Sequence, residues 1–290
     1  MDIKISCFGT VVLCFTILTI GEVQARELRG LSSVQPASNV PLGTSYSDAD
    51  GIIETRAAYF TTNHDFTGFI ASLTVHNHDI KKGQMTNSYI SIQSNANEEI
   101  SAGWVVDPWK YGDSRTRFFT YWRGFKCPNS ECHNEFVPKE GSYLAPGYIL
   151  DSGNHMTIKF LKDADTGDWK LFVGPSAAYL SEIGYYPKSL FTQLAVQANH
   201  AEFGGSVQFL DYMTGPPMGN GVIAEDNIPP GKPTPAMMTD VYYVRPDGKF
   251  DSIKTYTYKI GKINCYSLGK STVNDLDRFA YGGVAGCNRA

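Results

Sequence analysis

After residue 20 the chain lacks any apolar run long enough to cross a bilayer as a helix. It also lacks an excess of basic charge, because 25 Lys and Arg stand against 29 Asp and Glu, which gives a net charge of −4. A nucleic-acid partner is therefore not expected. The sequence contains no Asn-x-Ser/Thr acceptor for N-glycosylation and no Gly-x-Ser-x-Gly elbow, so Ser-His-Asp hydrolysis is not indicated.

The first 25 residues are typical of a secretory signal peptide. Lys4 gives a weakly basic start, residues 11–20 are apolar, and Val23-Gln24-Ala25 ends the segment with small residues at the usual positions. The apolar stretch is shorter than a membrane span. We expect cleavage after Ala25, and a secreted, extracellular chain that has no membrane attachment once it is cleaved.

Two of the six cysteines, Cys7 and Cys14, lie in this segment, and four remain in the mature chain. An even number of cysteines in a secreted protein favours disulfides over free thiols. A zinc site is the alternative, but the chain has no Cys-x-x-Cys pair. The spacing predicts two bridges, Cys127–Cys132 and Cys265–Cys287.

The organisation of the chain indicates one domain after a leader. Residues 26–55 are poor in large apolar side chains and rich in Ser, Gly, Pro and Asp, which is typical of a flexible segment. From residue 56 to residue 290, short alternating segments predict β-strands, and 156–161 with 168–173 predict a hairpin. Pro187 followed by apolar residues at helical spacing predicts a helix, with one face formed by Leu190, Phe191, Leu194 and Ala198.

These elements predict an all-β fold, an antiparallel β-sandwich of two sheets with one short helix and long loops. Residues 213–235 carry six Pro and four Gly and are expected to form one of those loops. No pattern indicates a cofactor. His76 and His78 share one side of a strand, and residues 163–168 faintly resemble a calcium loop, but a solvated strand end and a hairpin turn explain them better.

The most specific stretch is Ser101 to Trp122, in which Trp, Tyr, Phe, Gly and two Arg recur at fixed spacing. Together with residues 184–191 and 201–207 and the two cysteine pairs, it resembles the neprosin family of plant-type secreted proteins, which includes glutamic prolyl endopeptidases. The resemblance runs from about residue 57 to residue 287. It implies a β-sandwich with a cleft across one face and a peptide that contains proline as the ligand.

In active members the resemblance implies two glutamates across the cleft. One carboxylate takes a proton from water, while a protonated carboxyl group polarises the scissile carbonyl. In this sequence Ser101 and Ser206 occupy the two positions. Because serine does not ionise in the working pH range, it cannot act as the base. The sequence therefore predicts a secreted protein with weak or no peptidase activity.

Alternatives remain open. Glu99 and Glu202 lie two and four residues before the serines on the same strand faces, so an acid endopeptidase that uses either acid is the main rival. A carbohydrate-binding module is a third possibility. Four aromatic side chains could bind a peptide in an extended proline-rich conformation, with core packing as their ordinary role: Trp104, Trp109, Tyr111 and Tyr121.

Overall fold

The computed structural model describes residues 51–61, 64–95, 97–225, 230–260, 265–269 and 276–287, without the side chains of residues 128–130 and 259. The predicted signal peptide and residues 26–50 of the predicted leader lie outside these ranges. Strand β1 begins at Ile52, so the last residues assigned to the leader belong to a strand. Within the described residues no helix is long and apolar enough to cross a membrane.

The fold is all-β, as predicted, with two antiparallel sheets. Its strands are β1 Ile52–Thr61, β2 Gly68–Thr74, β3 Gln84–Ser94, β4 Glu98–Val106, β5 Arg117–Gly124, β6 Cys127–Cys132, β7 Val137–Pro138, β8 His155–Lys162, β9 Trp169–Ser176, β10 Tyr179–Tyr186, β11 His200–Leu210, β12 Ala236–Val244, β13 Phe250–Ser252, β14 Tyr256–Ile260, β15 Tyr266–Leu268 and β16 Phe279–Gly283.

The first sheet has the strand order β14-β1-β11-β3-β4-β5-β6, and the second has the order β15-β16-β12-β2-β8-β9-β10-β7, with β13 beside β12. One large core of apolar side chains contains residues of both sheets, including Phe69, Trp104, Phe160 and Phe203. Side chains alternate between the two faces of a strand, so every second residue of the first sheet points away from this core.

The predicted hairpin is confirmed, since β8 and β9 pair from Thr157–Gly174 to Lys162–Trp169. The turn between them is organised by Asp163, whose carboxylate accepts the backbone N–H groups of Asp165 and Thr166 and pairs with Lys170 at 2.5 Å. These contacts account for the acidic residues of the turn, so the faint calcium pattern in the sequence has a structural explanation.

The predicted helix after Pro187 is wrong. A single 3₁₀ turn spans Lys188–Leu190, and irregular chain follows it. The four apolar residues assigned to the helical face are nevertheless buried. All of them belong to the core: Leu190, Phe191, Leu194 and Ala198. The α-helix that the described residues do contain is α1, Pro108–Tyr111.

Both predicted disulfides are present. Cys127 bonds to Cys132 and closes the β6 loop, and Cys265 bonds to Cys287 and ties the end of the chain to the region before β15. The second bridge closes a loop with a sequence separation of 22 residues. A loop of that length corresponds to a stabilisation of about 3 kcal/mol on the loop-entropy model.

Candidate functional site

The outer face is the surface of the first sheet that points away from the core, and it carries most of the sequence-predicted site residues. Strand pairing places alternate residues of five adjacent strands on it. Its members are Glu54 and Arg56 of β1, Glu202 and Ser206 of β11, Asn87, Tyr89, Ser91 and Gln93 of β3, Glu99 and Ser101 of β4, and Phe119, Tyr121 and Arg123 of β5.

The two serines that were predicted to occupy the family acid positions are both shielded and both bonded within the chain. Ser101 is 0% exposed, and its hydroxyl donates to the Ile90 carbonyl at 3.2 Å. Ser206 is 5% exposed, and its hydroxyl donates to the Asn87 side chain at 2.8 Å. The two hydroxyl groups therefore bond to β3 rather than to each other.

Strand register separates these serines further. Ser206 is opposite Asn87, while Ser101 is opposite Ser91, four residues farther along β3. The two positions are thus about 13 Å apart along the strand direction and about 10 Å apart across it. Glu202, by contrast, is directly opposite Ser91 and so lies in register with Ser101.

Glu202 is held by three side chains of the outer face. Arg56 donates to Oε1 at 2.9 Å, the Tyr89 hydroxyl donates to the same oxygen, and Gln93 donates to Oε2 at 3.3 Å. Only 3% of the Glu202 side chain is exposed. Burial and the Glu202 charge raise the pKa of Tyr89 well above its usual range, so the phenol remains a donor.

Glu99 has an equivalent set of partners two residues before Ser101. Ser91 and Tyr121 donate to Oε1 at 2.6 and 2.9 Å, and Arg123 donates to Oε2 at 2.7 Å. Burial and the Glu99 charge raise the pKa of Tyr121 well above its usual range. Glu99 and Glu202 are therefore each paired with one arginine and one protonated tyrosine.

Two polar residues of β3 connect these acids. Gln93 donates to Glu202 and also to the Ser91 hydroxyl at 3.2 Å, and Ser91 in turn donates to Glu99. The sequence analysis identified Glu99 and Glu202 as alternative acids. It did not find Ser91 and Gln93, although their alternation along β3 is visible in Ser88-Tyr-Ile-Ser-Ile-Gln93.

Tyr89, which donates to Glu202, occupies a position on β3 that has a glycine opposite it on each neighbouring strand. It is opposite Gly204 on β11 and opposite Gly103 on β4. A Cβ atom on Gly103 would lie 2.0 Å from the Ser88 carbonyl oxygen and 2.8 Å from the Tyr89 Cα. Two motifs of the sequence, Ala-Gly-Trp and Phe-Gly-Gly, thus each supply a glycine beside this tyrosine.

Trp104 does not belong to the outer face, which corrects its assignment as a substrate-binding residue. It lies an odd number of residues from Ser101, so its side chain points to the other face of β4. It is 0% exposed in the core, and its indole N–H donates to the Thr74 carbonyl at 3.0 Å.

The other three aromatic candidates lie on or beside the outer face. Trp109 is 40% exposed on α1. Tyr111 and Tyr121 are half-buried and pack against a second, small apolar cluster that contains Met85, Tyr89, Val105 and Phe119. This cluster is separate from the main core, and Phe119 and Tyr121 stack with ring centroids 6.1 Å apart.

Local sequence explains how α1 presents Trp109. Asp107 caps the helix by accepting the backbone N–H groups of Trp109 and Lys110, Pro108 occupies the first turn, and Gly112 ends it with φ of 80°. The helix therefore ends at Tyr111, and the Gly112 backbone N–H donates to the Pro108 carbonyl.

Glu131 and His133 border this surface next to the first disulfide. The His133 ring lies 6.0 Å from the Tyr121 ring, and its Nε2 lies 3.7 Å from the Glu131 carboxylate. Desolvation and the charge of Glu99 raise the pKa of Glu131 to about 7, although 54% of its side chain remains exposed. The sequence analysis did not identify either residue.

The two strand-end histidines, His76 and His78, lie in different local environments. His78 Nε2 lies 2.7 Å from the Gly219 carbonyl, and burial lowers the pKa of His76 to about 4. Among the residues that the structure describes, no group of three or more His, Cys, Asp or Glu could hold a metal ion.

The Arg56–Glu202 pair leads to a stability prediction. Arg56→Met is expected to lower the free energy of unfolding by about 2 kcal/mol, because a nearly buried carboxylate would lose its cation while two neutral donors remain. Urea denaturation measures the effect. Arg115→Met, which removes the exposed partner of Asp113, is the control and should cost about 0.5 kcal/mol or less. Equal losses for both variants would contradict the role of Arg56.

Comparisons with known proteins give one family match and matches to solved structures. The family model described as Neprosin matches residues 82–284, more than two thirds of the chain. A solved structure of scytalido-glutamic peptidase with a transition state analog inhibitor is 12% identical, with a TM-score of 0.48, and covers 80% of this chain and 100% of its own. SCP-B, of the Eqolisin family of peptidases, solved with the tripeptide Ala-Ile-His, is 10% identical, with a TM-score of 0.44, and covers 82% and 100%.

Proposed function

The chain belongs to the neprosin family, and we propose that it is a secreted peptide-binding protein on a glutamic-peptidase scaffold that does not hydrolyse its ligand. The observation that carries the proposal is the burial and hydrogen bonding of the two serines that we place at the family acid positions. Ser101 and Ser206 are shielded from solvent, and both hydroxyl groups already donate within the chain. Neither can take a proton from a water molecule.

The neighbouring acids do not replace them as a catalytic pair. Hydrolysis by two carboxyl groups requires one of them to carry a proton that it can donate. Glu99 and Glu202 each accept hydrogen bonds from an arginine and a tyrosine. With such partners both groups act as hydrogen-bond acceptors, and neither of the two offers a proton to the leaving amine.

The ligand we propose is a proline-containing peptide. The partly exposed rings of Trp109 and Tyr121 offer flat apolar surfaces, and proline-rich segments lose little conformational entropy when they bind such surfaces. The two disulfides support the proposed secretion, because such bonds persist in oxidising compartments.

One experiment tests the proposal. The purified mature chain, shown to be folded by circular dichroism, is incubated with a proline-containing peptide from about pH 3 to about pH 6, and the products are identified by mass spectrometry. We expect binding, measured by the change in tryptophan fluorescence, and no cleavage. Cleavage beside proline that disappears in Glu99→Gln or Glu202→Gln would contradict the proposal.

That contradicting outcome would establish the second candidate, an acid endopeptidase that uses Glu99 or Glu202. A specific observation favours it. The two acids lie on one face, and Gln93 and Ser91 connect them by hydrogen bonds of 3.3, 3.2 and 2.6 Å. These bonds hold the two carboxylates in a fixed arrangement, although the Gln93 amide donates at both of its contacts and so passes no proton between them.

A further inference from the structure

Glu131 borders the outer face. Unlike the acids of that face, it has no arginine within 4 Å of its carboxylate among the described residues. Arg56 pairs with both Glu54 and Glu202, and Arg123 pairs with Glu99. Among the described residues, the cationic group recorded within 4 Å of the Glu131 carboxylate is the His133 ring, at 3.7 Å. More than half of the Glu131 side chain is exposed.

His133 does not neutralise this carboxylate. Burial and the nearby Lys110 charge lower the pKa of His133 to about 4, so the ring is neutral at physiological pH. Its Nδ1 lies 3.3 Å from the Thr120 carbonyl, which can accept a hydrogen bond but cannot donate one. Nδ1 therefore carries the proton, and the Nε2 that faces Glu131 is an acceptor.

The other charged groups around Glu131 do not neutralise its carboxylate by a direct contact either. Glu99 and Glu54 act on it as like charges, while Lys110 and Arg56 attract it without closing a contact within 4 Å. Lys110 follows the exposed Trp109 on α1. An additional positive charge at this place would relieve the repulsion between the two acids of β4 and β6.

A second charged group, Arg123, lies on β5, the strand that pairs with β6. Cys132 on β6 is opposite Trp122 on β5, and Glu131 and Arg123 are their neighbours on the two strands, at a point where the pairing is irregular. Arg123 binds Glu99 through Nη2, but its Nε is shielded from solvent and has no hydrogen-bond acceptor among the described residues. Because this Nε cannot be reached from solvent, the place open to a ligand group is the exposed Glu131 carboxylate. A basic side chain of a ligand would supply the cation that this carboxylate lacks among the described residues.

We propose that Glu131 is a specificity residue of the peptide site and selects ligands with Lys or Arg beside the proline. The proposal rests on the proposed peptide-binding function. The bound peptide would place its basic side chain against the Glu131 carboxylate, with the apolar stem of that side chain along Tyr121.

The test uses three proline-containing peptides that differ in one residue next to proline, which is Lys, norleucine or Glu. All carry an acetylated N-terminus and an amidated C-terminus, so a preference for Lys reports the side chain and not the terminal amine. At about pH 8, calorimetry should show the Lys peptide bound roughly five-fold more tightly than the norleucine peptide, and the Glu peptide bound most weakly.

Two variants separate the role of Glu131 from general effects. Glu131→Gln should bind the Lys and norleucine peptides equally, while Glu140→Gln, which alters an exposed acid in the turn after β7, should keep the preference. The preference should also shrink at about pH 5.5, where the Glu131 carboxyl is protonated.

The outcomes are distinguishable. Binding of the norleucine peptide reports the proposed peptide-binding function by itself. If that peptide binds but Lys gives no advantage, or if the advantage survives in Glu131→Gln, the specificity inference is overturned and the proposed function stands. If none of the three peptides binds, both are overturned.

Discussion

Replacing Glu98 with alanine is expected to lower the free energy of unfolding by about 3 kcal/mol at neutral pH. Glu98 is 2% exposed and accepts five hydrogen bonds. Thr192 donates to Oε1 through its backbone N–H and its hydroxyl, and Gln193, Leu194 and Ser94 donate to Oε2. The variant would leave buried N–H groups without acceptors and free the segment after β10 from the start of β4.

The same carboxylate predicts a loss of stability in acid. Desolvation opposes ionisation of Glu98, but hydrogen bonds from Leu194, Thr192 and Ser94 outweigh it and lower the pKa of this group. A carboxyl group whose pKa is lower in the folded state stabilises the fold above its ordinary pKa. That contribution disappears as the pH falls through the folded-state pKa.

Urea denaturation at about pH 7 and about pH 3 measures both effects. The difference between the native chain and Glu98→Gln should shrink at the lower pH, since protonation removes the charge from the native side chain as well. Glu140→Ala, which alters an exposed acid, should change stability by about 0.5 kcal/mol or less at both pH values. A comparably small effect of Glu98→Ala would show that the segment after β10 is held by other contacts.

Glu98 also explains where prediction from the sequence failed. The apolar spacing after Pro187 is compatible with a helix, yet the N–H groups of Thr192, Gln193 and Leu194 donate to a carboxylate on a distant strand. Tertiary hydrogen bonds replaced the local ones that helical spacing assumes. The sequence contains no signal for this contact, because its two partners are separated by more than 90 residues.

Patterns that depend on neighbouring residues were more informative. The alternation in 156–161 and 168–173 predicted a hairpin that β8 and β9 form, and the cysteine spacing predicted both disulfides. Alternation could also have excluded Trp104 from the peptide site. Residues an odd number apart on a strand point to opposite faces, so Ser101 and Trp104 cannot both lie on the outer face.

The candidate site itself was predictable in part. Strand parity places Glu99 and Glu202 on the same faces as Ser101 and Ser206, and the structure puts all four on the outer face. Their arginine partners were not predictable, since Arg56 and Glu202 meet through the pairing of β1 with β11. That pairing is set by the whole sheet rather than by any local pattern.

Gly103→Ala is expected to lower the free energy of unfolding by about 3 kcal/mol and to displace Tyr89. Gly103 lies in the middle of β4, between β3 and β5. The added methyl group would lie 2.0 Å from the Ser88 carbonyl oxygen, a backbone atom in a central strand. Relief of that contact requires β3 and β4 to separate, which weakens the pairing that brings Tyr89 to Glu202.

Gly153→Ala is the matched control. Its Cβ would meet no atom within 4 Å, but its φ of +90° disfavours a side chain. The cost there should be about 1 kcal/mol, from backbone strain alone. Thermal and urea denaturation compare the two variants, and the tyrosine signal in near-ultraviolet circular dichroism follows Tyr89. If Gly103→Ala were no more destabilising than Gly153→Ala, β4 would tolerate a side chain at this position, and the glycine of the Ala-Gly-Trp motif would need another explanation.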